Sequence, residues 1–142
     1  MNINNDTYGI IFEECLTAYL AIGGALISVI TLLYSLALGK KDELFVLLEL
    51  IKKGNNDPLI LSRRQRLIIH IKSIKRNISI SVTLIICSII GVISSSIGKY
   101  ANPISTKCVL AVILLLLTVY FVIKTILLLI RLYKQYRKEL TF

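Results

Sequence analysis

The chain carries very little raw material for catalysis. One histidine (His70), three cysteines and eight acidic residues are all it has in 142 positions. No CxxC pair and no His/Cys grouping at metal-ligand spacing occurs, which removes the usual zinc and redox signatures. HExxH, GxSxG, P-loop and Rossmann glycine patterns are also missing. A nucleophile, a base and an oxyanion donor cannot be assembled from what remains. The sequence therefore predicts a protein that is not an enzyme and needs no cofactor or metal. Aromatic residues interleaved with basic ones, as base stacking requires, are lacking too, so no direct contact with nucleic acid is expected.

Charge is absent over long stretches. None falls in Cys15–Leu38 or between Asn77 and Gly98, and 56 % of the chain is hydrophobic, against about 45–50 % for a soluble domain. A hydrocarbon core roughly 30 Å thick needs about 20 apolar residues in a helix. The expected architecture is all-α: an integral membrane protein with three transmembrane helices, at about 9–38, 78–98 and 104–130. A cytoplasmic helical hairpin (39–77) joins spans one and two, and a cytoplasmic tail (131–142) closes a single membrane domain, 1–142.

Basic charge is plentiful but unevenly placed. Ten of the seventeen Lys and Arg residues lie in Gly39–Asn77 and four in the tail, which the positive-inside rule reads as the cytoplasmic side of the membrane. Met1–Glu14 has no Lys or Arg but carries Asp6, Glu13 and Glu14. That is the wrong sign for a signal peptide, and the N-terminus is expected outside. Glu13 and Glu14 are expected to pair with Lys107 at the outer boundary, and Lys124 to snorkel towards the cytoplasmic interface.

Small residues recur with helical period inside the spans. In the first, Thr17, Ala21, Gly24, Ser28, Thr31 and Ser35 alternate spacings of four and three. In the second, Ser81, Ser88, Gly91, Ser95 and Gly98 form a heptad-like row. Small faces let helices approach closely in lipid, where packing drives association. The two rows are expected to face each other and to provide a homo-oligomeric interface. The third span is dominated by Leu, Val and Ile, interrupted by Ala111, Thr118 and Thr125, and is expected to face lipid most.

In the hairpin, KKDELFVLLELIKK is too short to span and contains no helix breaker. Gly54-Asn55-Asn56-Asp57-Pro58 is the strongest turn signal, and Ser62 is the expected N-cap of the following RRQR helix. Leu44, Leu47, Leu48, Ile51, Leu67 and Ile71 require something to pack against, either a sister subunit or a soluble partner. With Arg63, Arg64, Arg66, Lys72 and Arg76, and with Tyr133 and Tyr136 of the tail, they define the surface expected to meet membrane lipids or a soluble cytoplasmic protein.

Three spans, N-terminus out, C-terminus in, a basic tail and fewer than 150 residues resemble the class I phage holins in layout. The 39-residue insertion between spans one and two departs from the compact holin pattern and favours a protein whose cytoplasmic face has a job. The Ile/Asn/Lys bias of MNINND, KKGNNDP and IKSIKRNISI, with this size and a partner-sized hairpin, is similar to small membrane subunits of anti-phage defence systems, in particular the Kiwa membrane component. That resemblance implies an oligomeric membrane scaffold or sensor that recruits a soluble partner. The alternatives are a holin-like, membrane-permeabilising effector and, third, a bacteriocin immunity protein.

Overall fold

Three long helices account for almost the whole chain in the computed structural model, which describes residues 5–54, 57–101 and 104–140. They are α1 (Asn5–Lys52), α2 (Pro58–Tyr100) and α3 (Ile104–Leu140), and no strand occurs among the described residues. Asn55 and Asn56, on which part of the expected turn fell, lie outside the described residues. Each helix is long and apolar enough to cross a membrane, as a multi-pass membrane protein requires. At 1.5 Å per residue, the 48 residues of α1 extend roughly 72 Å, more than twice a hydrocarbon core. Much of α1 and α2 therefore continues past the apolar zone without a break, as a basic base under the spans.

The connection between α1 and α2 follows from local chemistry. Gly54 adopts φ 88°, and its N–H bonds to the Ile51 carbonyl at 3.0 Å, a left-handed residue ending a helix where glycine carries no Cβ penalty. α2 then starts earlier than the sequence implied. Asp57 is the N-cap, its carboxylate accepting from the Leu59 N–H at 2.9 Å, with Pro58 in the first turn. Ser62 lies inside the helix and donates its hydroxyl to the Leu59 carbonyl at 2.9 Å. An acidic cap followed by a residue whose missing N–H is not needed there outcompetes a serine four positions later.

A repeat of seven runs through the core of all three helices. α1 buries Phe12, Tyr19, Leu26 and Leu33; α2 buries Leu67, Ile74, Ser81, Ser88 and Ser95; α3 buries Ala111, Leu114, Phe121, Leu128 and Leu132. A heptad seam keeps one face of each helix turned to its neighbours over many turns. In the most apolar window of each helix, 28 % of residues are buried in α2, 22 % in α1 and 17 % in α3. α2 is thus the central helix, and α3 presents the most apolar surface outwards, as its composition implied.

The seam between α1 and α2 joins large residues to small ones. The Tyr19 ring occupies the place where a Cβ on Gly91 would be, 2.6 Å away, and the Phe12 ring does the same at Gly98. Ser88 donates to the Tyr19 carbonyl and Ser95 to the Phe12 carbonyl, both at 2.6 Å. Gly23 admits the Ser88 hydroxyl, which would lie 2.7 Å from any Cβ there. On the other side of Tyr19, its hydroxyl meets that of Thr118 at 3.0 Å, and its ring lies 5.2 Å from that of Phe121.

Candidate functional site

The small residues predicted as one interface separate into two sets. Ser88, Gly91 and Ser95 are buried within the chain, where they receive the aromatic row of α1. Thr17, Ala21, Gly24, Ser28, Thr31 and Ser35 are all exposed. The two rows do not face each other. The reason is steric: the groove that Gly91 and Gly98 open in α2 is filled by rings, and a helix face of Ala, Gly and Ser would leave it empty. The α1 row therefore points out of the bundle. Three of its four hydroxyls are satisfied locally, with Thr17 donating to the Glu13 carbonyl at 3.0 Å, Ser28 to Gly24 at 3.4 Å and Thr31 to Ile27 at 3.0 Å. Around Gly24 nothing lies within 4 Å of a would-be Cβ.

At the end of the bundle where α1 begins, Glu13 Oε1 accepts from Lys99 Nζ at 2.7 Å. Phe12 seated on Gly98 brings the next residue of each helix together, which explains why Lys99 is the partner where the sequence implied Lys107. Lys107 lines the same open cleft of about 390 Å³, together with Asp6, Tyr8 and Glu13, while Glu14 is exposed and outside that lining. Lys124 places its ammonium over the ring of Tyr120, 5.4 Å from the centroid. That lies one turn back towards the start of α3, whereas the expected snorkelling runs towards its end. The three cysteines are free thiols.

Below the spans, the extensions of α1 and α2 form a hairpin clasped by one carboxylate. Glu43 Oε1 accepts from Arg63 Nη2 at 2.6 Å and Nε at 3.1 Å, while Lys40 lies 3.5 Å from Oε2. The Arg63 guanidinium bonded to Glu43 holds its carboxyl below the usual carboxylate range. Leu47 and Leu67 are buried in this hairpin, and Leu44, Leu48, Ile51 and Ile71 are half-buried. The apolar residues expected to await a partner are therefore largely used by the chain itself. Phe45, Val46, Leu59 and Ile68 are among those left in the open, with Leu50, Leu61 and Ile69, and Phe45 and Leu59 are the most exposed at 71 % and 73 %.

The tail of α3 joins this base through polar contacts that sequence reasoning did not identify. Asn77, fully buried, donates its amide to Gln135 Oε1 at 2.9 Å, Ser73 donates to the same oxygen at 3.4 Å, and Gln135 Nε2 lies 3.5 Å from His70 Nε2. The Asn77 carboxamide oxygen has no partner. Seven-residue spacing back from Leu84 to Asn77, and from Leu128 to Gln135, was the available signal. Tyr136 is half-buried and lines a small cavity with Leu33, Leu36 and Ile74, whereas Tyr133 is exposed. Of the basic residues named from sequence, Arg63 is committed to Glu43, Arg64 is half-buried, and Arg66, Lys72 and Arg76 are exposed.

Among the described residues no group of His, Cys, Asp and Glu is arranged to hold a metal ion. No family model, curated protein or solved structure matches the chain.

Proposed function

We propose that the chain is an oligomeric scaffold of the bacterial inner membrane that self-associates through the outward row of α1 and recruits a soluble cytoplasmic protein to its basic base. The observation that carries the reading is the exposure of Thr17, Ala21, Gly24, Ser28, Thr31 and Ser35 in a bundle whose own core they do not serve. A lipid-facing helix gains nothing from such a row, whereas a second helix packs closely against it. The orientation, with N-terminus outside and C-terminus cytoplasmic, rests on the fourteen Lys and Arg residues of the base and tail. Phe45, Val46, Leu59 and Ile68, exposed well beyond the apolar zone, supply the apolar surface for a soluble partner. The defence setting is carried over from the resemblance in layout to anti-phage membrane subunits.

The experiment is affinity purification of the solubilised full chain with its neighbouring genes expressed. A soluble protein should be retained by the wild type and lost from Phe45→Ser/Leu59→Ser. Absence of any soluble protein from the wild-type preparation contradicts recruitment.

A holin-like pore uses the same α1 row with its hydroxyls turned to water. The bonds from Thr17, Ser28 and Thr31 to their own helix carbonyls favour a dry contact. Expression that collapses the membrane potential would favour the pore.

A further inference from the structure

α2 and α3 leave the apolar zone side by side, and the surface between them turns strongly basic within a turn. Two open grooves, each of about 750 Å³, flank Ile69 and Ser73, which line both. One carries Arg66 of α2 with Arg131, Lys134 and Arg137 of α3; the other carries Lys72, Lys75 and Arg76 of α2. Counted from the expected span ends at 78 and 130, Arg131 and Arg76 lie one and two residues out, Lys134 four and Lys72 six, or about 2, 3, 6 and 9 Å at 1.5 Å per residue. The polar headgroup layer is about 5–7 Å thick on each side of the core. Arg76, Arg131 and Lys134 therefore lie at the depth of lipid phosphates, and the long Lys72 side chain reaches back to it.

Among the described residues, two carboxylates of the base are committed elsewhere, Glu43 to Arg63 and Lys40, and Glu49 to Lys53. Among the described residues no carboxylate is within ion-pair reach of Lys72, Arg76, Arg131 or Lys134. Ile69, 65 % exposed, stands between the two basic clusters, so that each groove keeps its own set of cations. A nucleic acid duplex is too bulky to follow the cations into the headgroup layer.

We propose that the paired grooves on either side of Ile69 and Ser73 bind an anionic phospholipid with two phosphates, of the diphosphatidylglycerol type, one phosphate to each groove. The site depends on the membrane placement of the helices and on neither self-association nor a soluble partner. Its occupant bridges the surfaces of α2 and α3 beside the Asn77–Gln135 contact.

The test uses the full chain in neutral detergent, with native mass spectrometry and thermal unfolding after adding diphosphatidylglycerol, phosphatidylglycerol, phosphatidylcholine or inorganic pyrophosphate at matched phosphate. Diphosphatidylglycerol is expected to give a retained one-lipid adduct and the largest rise in Tm. Lys72→Gln/Arg76→Gln and Arg131→Gln/Lys134→Gln should each weaken its binding on the order of tenfold. All four side chains are exposed, and the wild-type lipid comparison stands even where a variant folds poorly. Equal protection by phosphatidylglycerol or by pyrophosphate overturns the assignment, as does full binding by both folded variants. Cross-linking in the same samples reports assembly separately, so failure of lipid binding and failure of the oligomeric reading are told apart.

Discussion

Ser88 of α2 donates its hydroxyl to the backbone carbonyl of Tyr19 in α1 at 2.6 Å, and the Tyr19 ring lies against Gly91 one turn further along α2. The contact fixes which face of α1 is used inside the chain. With Tyr19 turned inwards, Ala21, Gly24 and Ser28 turn out. The proposed self-association therefore begins with an intramolecular bond.

Two glycines should respond in opposite ways. Gly91→Ala places a Cβ 2.6 Å from a Tyr19 ring that is fully buried and held by Thr118 and Phe121. Overpacking of this kind costs about 1–3 kcal/mol, read as a lower unfolding midpoint in detergent. Gly24→Leu meets nothing in its own chain and should leave that midpoint unchanged while weakening self-association.

Gly23 and Ser88 should be coupled. A Cβ at Gly23 would lie 2.7 Å from the Ser88 hydroxyl but 3.5 Å from its Cβ, so the clash is with the oxygen alone. Gly23→Ala should destabilise the wild type and cost less in a Ser88→Ala background. A double-mutant cycle is expected to return an interaction of about 0.5–1 kcal/mol. Ser88→Ala alone removes one interhelical hydrogen bond, worth about 0.6 kcal/mol in membrane helices.

Asn77 and Gln135 should behave as a unit. Gln135→Leu leaves the fully buried Asn77 amide without an acceptor, beside an oxygen that already lacks a donor, at a cost of about 1–3 kcal/mol. Replacing both residues by Leu removes the unmet polar groups and should recover most of the loss in thermal unfolding.

The clasp of the hairpin should depend on pH through Glu43. Its carboxyl is held low by Arg63, so the stabilisation is fully present above the ordinary glutamate range and fades as pH falls through the lowered value. The effect is small, on the order of 0.5 kcal/mol for so open a pair. Trypsin cleavage is unsuited to acid, so hydrogen exchange of the hairpin amides between about pH 6 and 3 is the measurement. Corrected for intrinsic exchange, protection should fall more in the wild type than in Glu43→Gln.

The helices were legible in the sequence because lipid demands long uncharged runs, and Cys15–Leu38 and the stretch from Asn77 to Gly98 have them. The α2 row was legible as a packing face because Ser88, Gly91 and Ser95 are small at heptad spacing. Its partner was not, because a row of small residues is open equally to another small row and to large rings, and here the groove is filled by rings. Phe12, Tyr19, Leu26 and Leu33, seven apart, were the readable signal. In the base, charge located the hairpin but did not say that Leu47 and Leu67 would be buried within the chain. Nor did composition reveal Gln135 as the partner of Asn77, since polar pairing across 58 residues leaves no local trace.

Self-association through the outward α1 row is read by disulfide cross-linking in native membranes. With Cys15, Cys87 and Cys108 replaced by Ala, single cysteines are introduced by Ala21→Cys, Gly24→Cys and Ser28→Cys on the outward row, and by Leu116→Cys on the exposed face of α3. Oxidised dimers are expected from the α1 positions and none from Leu116→Cys. Dimers formed only through α3, or no cross-link along the α1 row in folded protein, would contradict self-association through that row.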